Sequence, residues 1–325
     1  MAKNSISNGT VVLPVEYGKE IIRGVVGRSK ALELGRRLPD MRGKTYKLNV
    51  LSHLPVAGWV KNSATPNNSD EADIKNKPVA YLAYEGVDVV AEEIAVIVPV
   101  SINTLNDVED FGVELMPEIT EQVVGAFQEV IDSTIFFGIN SPWSGPIANG
   151  LVAGATAAGA TVAWDGQEGL SFYHAINDAM KYVEKSGYVP TAILGGPSLN
   201  SAFRSTITTL GVLAGDQGEI GSLPRHIDLT GGFYESSAFA IVGDFRYLVY
   251  AFREELEMRI LYEATLKDPA TGTELYNLAQ QDMIGLRFTL RLGAQLPNPV
   301  NRVNTTAKRY PFAVITNEAE GSGSN

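Results

Sequence analysis

Residues 109–138 read EDFGVELMPEITEQVVGAFQEVIDSTIFFG and carry the strongest helical pattern in the chain. Side chains recur at three- and four-residue spacing along one stripe, which comprises Met116, Ile119, Val123, Phe127, Val130 and Thr134. Pro117 either starts the regular part of this helix or kinks it, and Gly138 ends it. About 28 residues, each rising roughly 1.5 Å, give a rod of ~40 Å. We therefore predict one long helix around which the rest of the fold is arranged.

Two extended segments precede the helix and enclose a polar tip. Alternation is partial on the way out (Tyr46, Leu48, Val50) and on the way back (Val79, Tyr81, Ala83). Between them, residues 56–77 read VAGWVKNSATPNNSDEADIKNK and offer almost nothing to bury. An isolated two-stranded excursion is marginal in water, and its edges invite pairing with another chain. We therefore expect neighbouring copies of the chain to cover this excursion.

The charge is unevenly distributed along the chain. The whole chain has a formal net charge of −11, yet residues 1–47 hold ten Lys/Arg against four Asp/Glu. This segment is weakly helical in pattern and reads as a basic arm that meets an acidic surface or a polyanion. A plain solvated basic face is the alternative. A net-acidic chain is a poor dedicated nucleic-acid binder.

The pattern changes after a Gly-, Ala- and Pro-rich loop that ends near residue 150. Helical and strand-like stretches alternate over residues 151–280, and a late strand follows with Ile284, Leu286, Phe288 and Leu290 facing inward. The strand-like runs around residues 239–252 and 256–265 are predicted to form a hairpin about Arg253, Glu254 and Glu255. The terminal residues 313–325 are predicted to be a flexible tail.

We find no motif that supports catalysis or metal binding. The chain has no cysteine and three histidines, which lie far apart in sequence. The paired carboxylates, such as Glu92/Glu93, point to opposite faces of a strand, and DEAD at residues 70–73 reads as a solvated acidic cluster. No run of apolar residues is long enough to span a membrane, and no secretory signal starts the chain. We therefore predict no catalytic, cofactor-binding or metal site, no cofactor and no membrane partner, with folding in a cytoplasm.

The order of these elements resembles the major capsid protein family of tailed bacteriophages. The resemblance covers about residues 10–305 and rests on the arm, AGWVKNSA in the polar excursion, IAVIVPVS in the return strand, FFGIN at the helix end, AIVGDFRYLVYAFREELEMRI and GLRFTLRLGAQLPNPV. These are loose patterns, so the order of elements carries the resemblance more than any single motif does.

The resemblance implies an α+β fold of the Hong Kong 97-like capsid type. Its parts would be an N-arm (1–43), a two-stranded extended loop (44–92), a peripheral domain (93–150 and 281–312), an α/β axial domain (151–280) and the flexible tail (313–325). The spine helix of the peripheral domain would be residues 109–138. The axial loop GVLAGDQGEIGSLPRH would lie near five- and six-fold positions.

The implied function is that of a major capsid protein, not an enzyme. The chain would self-assemble through pentamers and hexamers into the icosahedral head shell around double-stranded phage DNA, which it contacts non-specifically. Its location would be the virion, with assembly in the host bacterial cytoplasm. Implied partners are a separate scaffolding protein, because only about forty residues precede the extended loop, together with a portal protein and a decoration protein.

Two sets of residues are candidates for contacts between copies. The first set is predicted to touch neighbouring subunits and comprises Trp59, Val60, Asp70, Glu71, Asp73, Arg23, Arg28, Arg36 and Arg37. The second set covers a covalent Lys–Asn crosslink that some relatives form, with Lys61, Lys75 and Lys77 as donors and Asn298, Asn301 and Asn304 as acceptors. Ordinary surface lysines are the alternative for the second set.

Two other functions stay open. An encapsulin-type nanocompartment would share the fold and enclose an enzyme instead of a genome. A soluble α/β enzyme or ligand-binding protein would be built on residues 151–280.

Overall fold

The computed structural model describes residues 29–57, 79–103, 115–166, 170–205, 219–220, 223–306 and 308–317. Its helices are α1 (Lys30–Leu34), α2 (Leu115–Phe137), α3 (Gly150–Ala158), α4 (Leu170–Lys185) and α5 (Ser198–Ser205). Its strands are β1 (Arg36–Arg37), β2 (Thr45–His53), β3 (Ala83–Val90), β4 (Glu92–Ser101), β5 (Thr161–Trp164), β6 (Ala192–Gly195), β7 (Glu219–Ile220), β8 (Leu223–Ile227), β9 (Ala240–Gly243), β10 (Val249–Leu261), β11 (Thr265–Lys267), β12 (Glu274–Asn277), β13 (Met283–Gln295) and β14 (Phe312–Asn317). The predicted α+β class is confirmed.

Helix α2 is the predicted long helix, with a rotated buried face. Gly138 follows it with a φ of +71°, which explains why the helix ends at a residue without a side chain. Val123 and Phe127 are buried as expected, but Val130 is 46% exposed. The buried stripe continues instead through Ile131 and Ile135. The residues before Leu115 in the predicted helix lie outside the described residues.

A four-stranded sheet joins distant parts of the chain in the order β1-β10-β13-β4. β13 is antiparallel to both of its neighbours, and its apolar residues Leu286 and Phe288 share one core with Phe127 and Ile131 of α2. The late strand with inward Ile284, Leu286, Phe288 and Leu290 is therefore confirmed.

Strand β10 corrects the predicted hairpin around residues 253–255. Val249–Leu261 is one 13-residue strand, and register shifts between Phe252 and Glu254 and between Glu254 and Glu257 absorb the charged run. Because β10 pairs with β13, sheet pairing also crosses the predicted boundary near residue 280.

A six-stranded sheet in the order β5-β14-β9-β6-β8-β7 forms the second layer of the core. β14 lies inside this sheet, parallel to β5 and antiparallel to β9. Phe312, Ala313, Val314 and Ile315 are fully buried. The predicted flexible tail is therefore wrong for residues 313–317; residues 318–325 lie outside the described part of the chain.

Candidate assembly surfaces

Helix α1 fixes the root of the N-terminal arm against α2. The hydroxyl of Ser29 donates to Asp132 Oδ1 at 2.6 Å and accepts from the backbone N–H of Leu32 at 3.3 Å. The backbone N–H groups of Lys30 and Ala31 donate to the same carboxylate at 3.1 and 3.0 Å. The first amide groups of a helix have no acceptor within the helix, and a carboxylate at this end also interacts favourably with the positive end of the helix dipole. Asp132 therefore determines where the arm joins the body.

Asp132 belongs to a buried polar cluster. It is 0% exposed, and Asp228 is 2% exposed. The hydroxyl of Thr230 lies 2.7 Å from Asp228 Oδ1 and 3.4 Å from Asp132 Oδ2, so it bridges the two carboxyl groups. Burial raises the pKa of Asp132 to about 7, against the hydrogen bond from Ser29, and the charge of Asp228 raises it further. This carboxyl group therefore titrates near neutral pH, which an ordinary aspartate does not.

Strand β1 carries two of the arginines predicted to touch neighbouring subunits. Arg36 and Arg37 pair in parallel with Val249 and Tyr250 of β10, and both side chains are exposed. Arg37 is engaged within its own chain, because it forms an ion pair with Asp40 at 2.8 Å and lies 5.1 Å from the centre of the ring of Phe252.

Arg36 differs from Arg37 in having a cavity in front of it. It lines a cavity of about 400 Å³ together with Asn49, Tyr247 and Arg246. The charge of Arg246 is matched by Asp244 at 2.7 Å, whereas no ion pair of Arg36 occurs among the described residues. Of the described candidate arginines, Arg36 is thus the better placed for an acidic partner.

The hairpin of β2 and β3 leaves the body as a two-stranded ribbon. It is antiparallel, from Thr45 opposite Val90 to His53 opposite Ala83. Its root is anchored by the ion pair between Lys44 and Glu92 at 3.0 Å and by Val89, which is fully buried.

The exposure of the ribbon increases away from the root. On the return strand side, Tyr84 is 62% exposed and Tyr81 is 71% exposed. His53 stacks on Tyr81 at 5.7 Å, so an aromatic pair lies in solvent near the outer end. Large apolar side chains so exposed are typical of a surface that binds another protein.

A groove of about 550 Å³ separates the outer face of β4 and β13 from the small hairpin of β11 and β12. Its floor contains the register partners Ile97 and Arg287, and its wall contains Lys267, Leu275 and Tyr276. Ile97 is 39% exposed, and the Nε atom of Arg287 is buried without a hydrogen-bond partner among the described residues. The groove therefore offers apolar contact together with the positive charges of Arg287 and Lys267, while the acid in its lining, Glu93, is paired with Arg291 at 3.1 Å.

The asparagines predicted as crosslink acceptors organise the segment between β13 and β14. The hydroxyl of Tyr188 donates to Asn298 Oδ1 at 2.5 Å. Asn301 Nδ2 donates to the carbonyl oxygen of Ser186 at 2.8 Å, and Asn301 Oδ1 accepts from the backbone N–H of Asn304 at 2.8 Å. Asn304 Oδ1 accepts from the backbone N–H two residues further on, at 2.9 Å. Each of these three side-chain amides therefore already forms a hydrogen bond within its own chain.

The remaining candidates lie outside the described residues. They are Arg23 and Arg28 of the arm, together with Trp59, Val60, Lys61, Asp70, Glu71, Asp73, Lys75 and Lys77 of the polar tip. The lysines of the predicted crosslink are therefore not among the described residues, and the crosslink stays a prediction.

Two absences among the described residues bear on other kinds of function. Within the described ranges, no group of three or more His, Cys, Asp or Glu side chains is placed to hold a metal ion. No helix in the described part of the chain has both the length and the apolar character needed to cross a membrane.

Comparison with known proteins places the fold. No protein-family model matches the chain. No curated protein matches it either. A solved structure from Microbacterium phage Oxtober96 is 28% identical, with a TM-score of 0.74, over 98% of this chain and 95% of that chain. One from Mycobacterium phage Adephagia is 28% identical, with a TM-score of 0.75, over 90% of each chain.

A third solved structure, described as the capsid of an empty GTA particle computed with C5 symmetry, shares the fold. It is 12% identical, with a TM-score of 0.55, over 97% of this chain and 94% of that chain. Its fold is the α+β fold of phage capsid proteins, as the resemblance to the tailed-phage major capsid family predicts. The β2–β3 ribbon lies within the range predicted for the extended loop, and α2 lies within the range predicted for the spine helix.

Sequence reasoning missed three features of the capsid protein. Asp132 was not singled out because its partners at residues 29–31 lie about a hundred positions away. The groove was not predicted because it forms between strands that are also distant in sequence. Gln295, which is 4% exposed, gave one signal in retrospect: it is a polar residue at the end of an apolar, alternating strand.

Proposed function

We propose that this capsid protein self-assembles through pentamers and hexamers into the icosahedral head shell that encloses double-stranded phage DNA. Its role is structural rather than catalytic. The observation that carries the proposal is the β2–β3 ribbon, because its own chain leaves its outer aromatic residues in water. Shell assembly supplies the missing surface, since each copy both offers a ribbon and receives one.

We place the extended loop of one copy over the groove of the next. The paired ribbon has about eight residue pairs. At roughly 3.3 Å per residue, the outer end of its paired strands lies ~25 Å from the root at Ala91. Strand β4, which lines the groove, begins at Glu92, directly after Ala91. We therefore take a neighbouring copy, rather than the same chain, as the occupant of the groove.

Charge and shape agree with this pairing. The loop carries Trp59 and Val60 near its base and the acidic residues Asp70, Glu71 and Asp73 at its tip. The groove offers Ile97 and Tyr276 for apolar contact and Arg287 and Lys267 for the carboxylates. This pairing makes the groove, rather than the basic arm, the partner of the acidic tip.

The other partners follow from the shell. We propose a scaffolding protein, a portal protein and a decoration protein, as well as non-specific contact with packaged DNA, in a particle assembled in the host bacterial cytoplasm. The net charge of −11 is consistent with weak, non-specific DNA contact rather than dedicated binding.

The test is assembly of the purified full chain, alone and with its scaffold, followed by size exclusion and negative-stain microscopy. We expect shells from the wild type and smaller, folded species from a variant in which a short Gly-Ser linker replaces residues 62–76. A variant lacking residues 319–325 serves as the deletion control and is expected to assemble. A wild-type chain that stays monomeric under every condition would refute the shell; normal assembly of the loop variant would refute the role of the loop.

The contents of the particle separate a phage head from a nanocompartment. Nuclease-protected double-stranded DNA in particles from infected cells supports the head. Particles that contain a folded enzyme and no nucleic acid would instead support the encapsulin-type function.

A further inference from the structure

The root of the N-terminal arm rests on two buried acids rather than on an ion pair. Helix α1 docks through Ser29, Lys30 and Ala31, all of which donate hydrogen bonds to Asp132. Behind Asp132, across the hydroxyl of Thr230, lies Asp228. We propose that Asp132 and Asp228 form a pair that retains one proton while the arm is docked, so that the arm is released more readily as this proton is lost.

The environment of the pair disfavours two negative charges. Both side chains are almost fully buried, and Asp228 Oδ2 has no hydrogen-bond partner among the described residues. No ion pair between either carboxylate and a cation occurs in the described part of the chain. Ionising both of two close carboxyl groups that are removed from water costs free energy, because burial and mutual repulsion disfavour the second charge. One of them therefore stays protonated to a higher pH than usual.

The charged groups around the pair do not supply the missing cation. On α1, Lys30 is engaged by Glu33 at 2.5 Å. On β8, His226 Nδ1 lies 3.8 Å from Glu33, and burial lowers the pKa of His226, which keeps the ring neutral at neutral pH. On α2, Glu129 is exposed and adds only further negative charge.

The sign of the effect follows from which groups cover Asp132. In the docked arm, burial raises the pKa of this carboxyl group to about 7. Release removes the contacts of Ser29, Lys30 and Ala31 and opens the carboxyl group to water, which lowers its pKa towards the ordinary value of about 4. The docked state therefore binds the proton more tightly than the released state does. Docking is strongest at acidic pH and weakens as the pH rises through 7.

This latch acts within one chain and does not depend on assembly. Release costs the burial of Ala31 and Leu32, which are 0% and 1% exposed, so loss of the proton weakens docking without abolishing it. The consequence is a basic arm whose attachment to the spine helix depends on pH.

Hydrogen exchange at the amides of Lys30 and Ala31 tests the latch directly, because these amides donate to Asp132. The purified, unassembled full chain is exchanged at pH 5.5 and pH 8.5, and rates are divided by their intrinsic values to give protection factors. We expect protection of the segment 29–34 to fall by roughly tenfold to thirtyfold between these pH values, since the docking equilibrium changes about tenfold for each pH unit between the pKa of the released carboxyl group and that of the docked one, and pH 5.5 lies about 1.5 units below the latter. Protection around Leu286 in β13 reports global opening, which also exposes Asp132, so it is expected to fall by a similar factor while staying well above the protection of the segment 29–34. Equal protection of the 29–34 segment at both pH values in the wild type would overturn the proposal.

Three substitutions assign the effect. Asp132→Asn removes the titrating group and is expected to flatten the pH profile. Asp228→Asn removes the charge that raises the pKa of Asp132, and it is expected to move the fall in protection below its wild-type pH or to abolish the fall between pH 5.5 and pH 8.5. His226→Gln is the control and is expected to leave the wild-type profile in place. If His226→Gln flattened the profile, or if Asp132→Asn preserved it, the latch would not be the aspartate pair.

Discussion

The Nε2 atom of Gln295 lies 3.1 Å from the backbone carbonyl oxygen of Asp88, and this contact ties the root of the projecting ribbon to the body. The same amide donates to the carbonyl oxygen of Ser144 at 3.1 Å, and Gln295 Oε1 accepts from the backbone N–H of Leu296 at 3.0 Å. One buried side chain thus joins β3, β13 and the loop after α2. The extended loop therefore has a rigid root even though its outer part is exposed.

The first prediction concerns this joint. Gln295→Leu keeps a similar volume and leaves the carbonyl oxygens of Asp88 and Ser144 without a donor. We expect the free energy of unfolding to fall by about 2–3 kcal/mol, because unsatisfied buried polar groups are costly. Urea denaturation measures the loss, and Gln280→Leu, at an exposed site, is the matched control. An equal loss of free energy in both variants would show that the hydrogen bonds of Gln295 do not account for the effect.

The second prediction concerns the groove. Ile97→Asp places a charge on the groove floor, where the wild-type side chain is 39% exposed and the fold has little need of it. We expect the free energy of unfolding to change by less than about 1 kcal/mol, while the yield of assembled particles falls at least tenfold. Val303→Asp, at a site 72% exposed, makes the same chemical change outside the groove. Loss of assembly in both variants would assign the effect to surface charge in general.

The third prediction concerns the crosslink. Because Asn301 already bonds Ser186 and the backbone of Asn304, Asn301→Ala is expected to lower the free energy of unfolding by roughly 1–3 kcal/mol. The denatured particle is expected to yield only monomers by mass analysis and gel electrophoresis, in the variant and in the wild type. Dimers or larger covalent species in the wild type that disappear in the variant would establish the crosslink instead.

Local pattern was sufficient for the elements that carry the fold but not for the contacts between them. The alternating face of β13 and the end of α2 at Gly138 are visible in the sequence, because each depends on residues a few positions apart. The course of β10 is not visible, because its run of Arg253, Glu254 and Glu255 has the composition of a turn. The pairing of β10 with β13 carries this charged run through the strand.

Contacts between residues that are distant in sequence explain why the burial of Asp132 and the pairing of β14 were not predicted. Asp132 is polar in the interior of a helix, which favours a solvated position when the helix is considered alone. The hydroxyl of Ser29 and the amides at residues 30 and 31, which come from a distant part of the chain, make its burial tolerable. The position of residues 313–325 at the end of the chain predicts a tail, whereas the apolar residues 312–315 of β14 lie at the centre of a sheet.

The fourth prediction tests β14 by truncation. A chain that ends after residue 311 loses a fully buried inner strand and leaves β5 and β9 without their shared partner. We expect it to be insoluble or to lack a cooperative thermal transition. A chain that ends after residue 317 keeps the whole strand and is the control, with an expected change in Tm of about 2 °C or less. Cooperative unfolding of the shorter chain at the wild-type temperature would contradict the role of β14.

The fifth prediction concerns global stability and pH. Burial raises the pKa of Asp132 to about 7, whereas the same group has an ordinary value of 3.8 when unfolded. The folded state therefore holds a proton that the unfolded state has released, and the resulting stabilisation is complete below about pH 4 and is lost as the pH rises through 7. Since one pKa unit corresponds to about 1.4 kcal/mol, the loss between pH 4 and pH 8 is on the order of 3–4 kcal/mol.

The measurement is urea denaturation of the wild type and of Asp132→Asn at pH 5 and pH 8. Groups that titrate in both proteins cancel in the difference, so the wild type is expected to lose more stability than the variant as the pH rises. Asp178→Asn, on the exposed face of α4, is the matched control and is expected to follow the wild type. If Asp132→Asn lost as much stability as the wild type between these pH values, the buried carboxyl group would not bind a proton in this range, and the cluster around it would be held by hydrogen bonds alone.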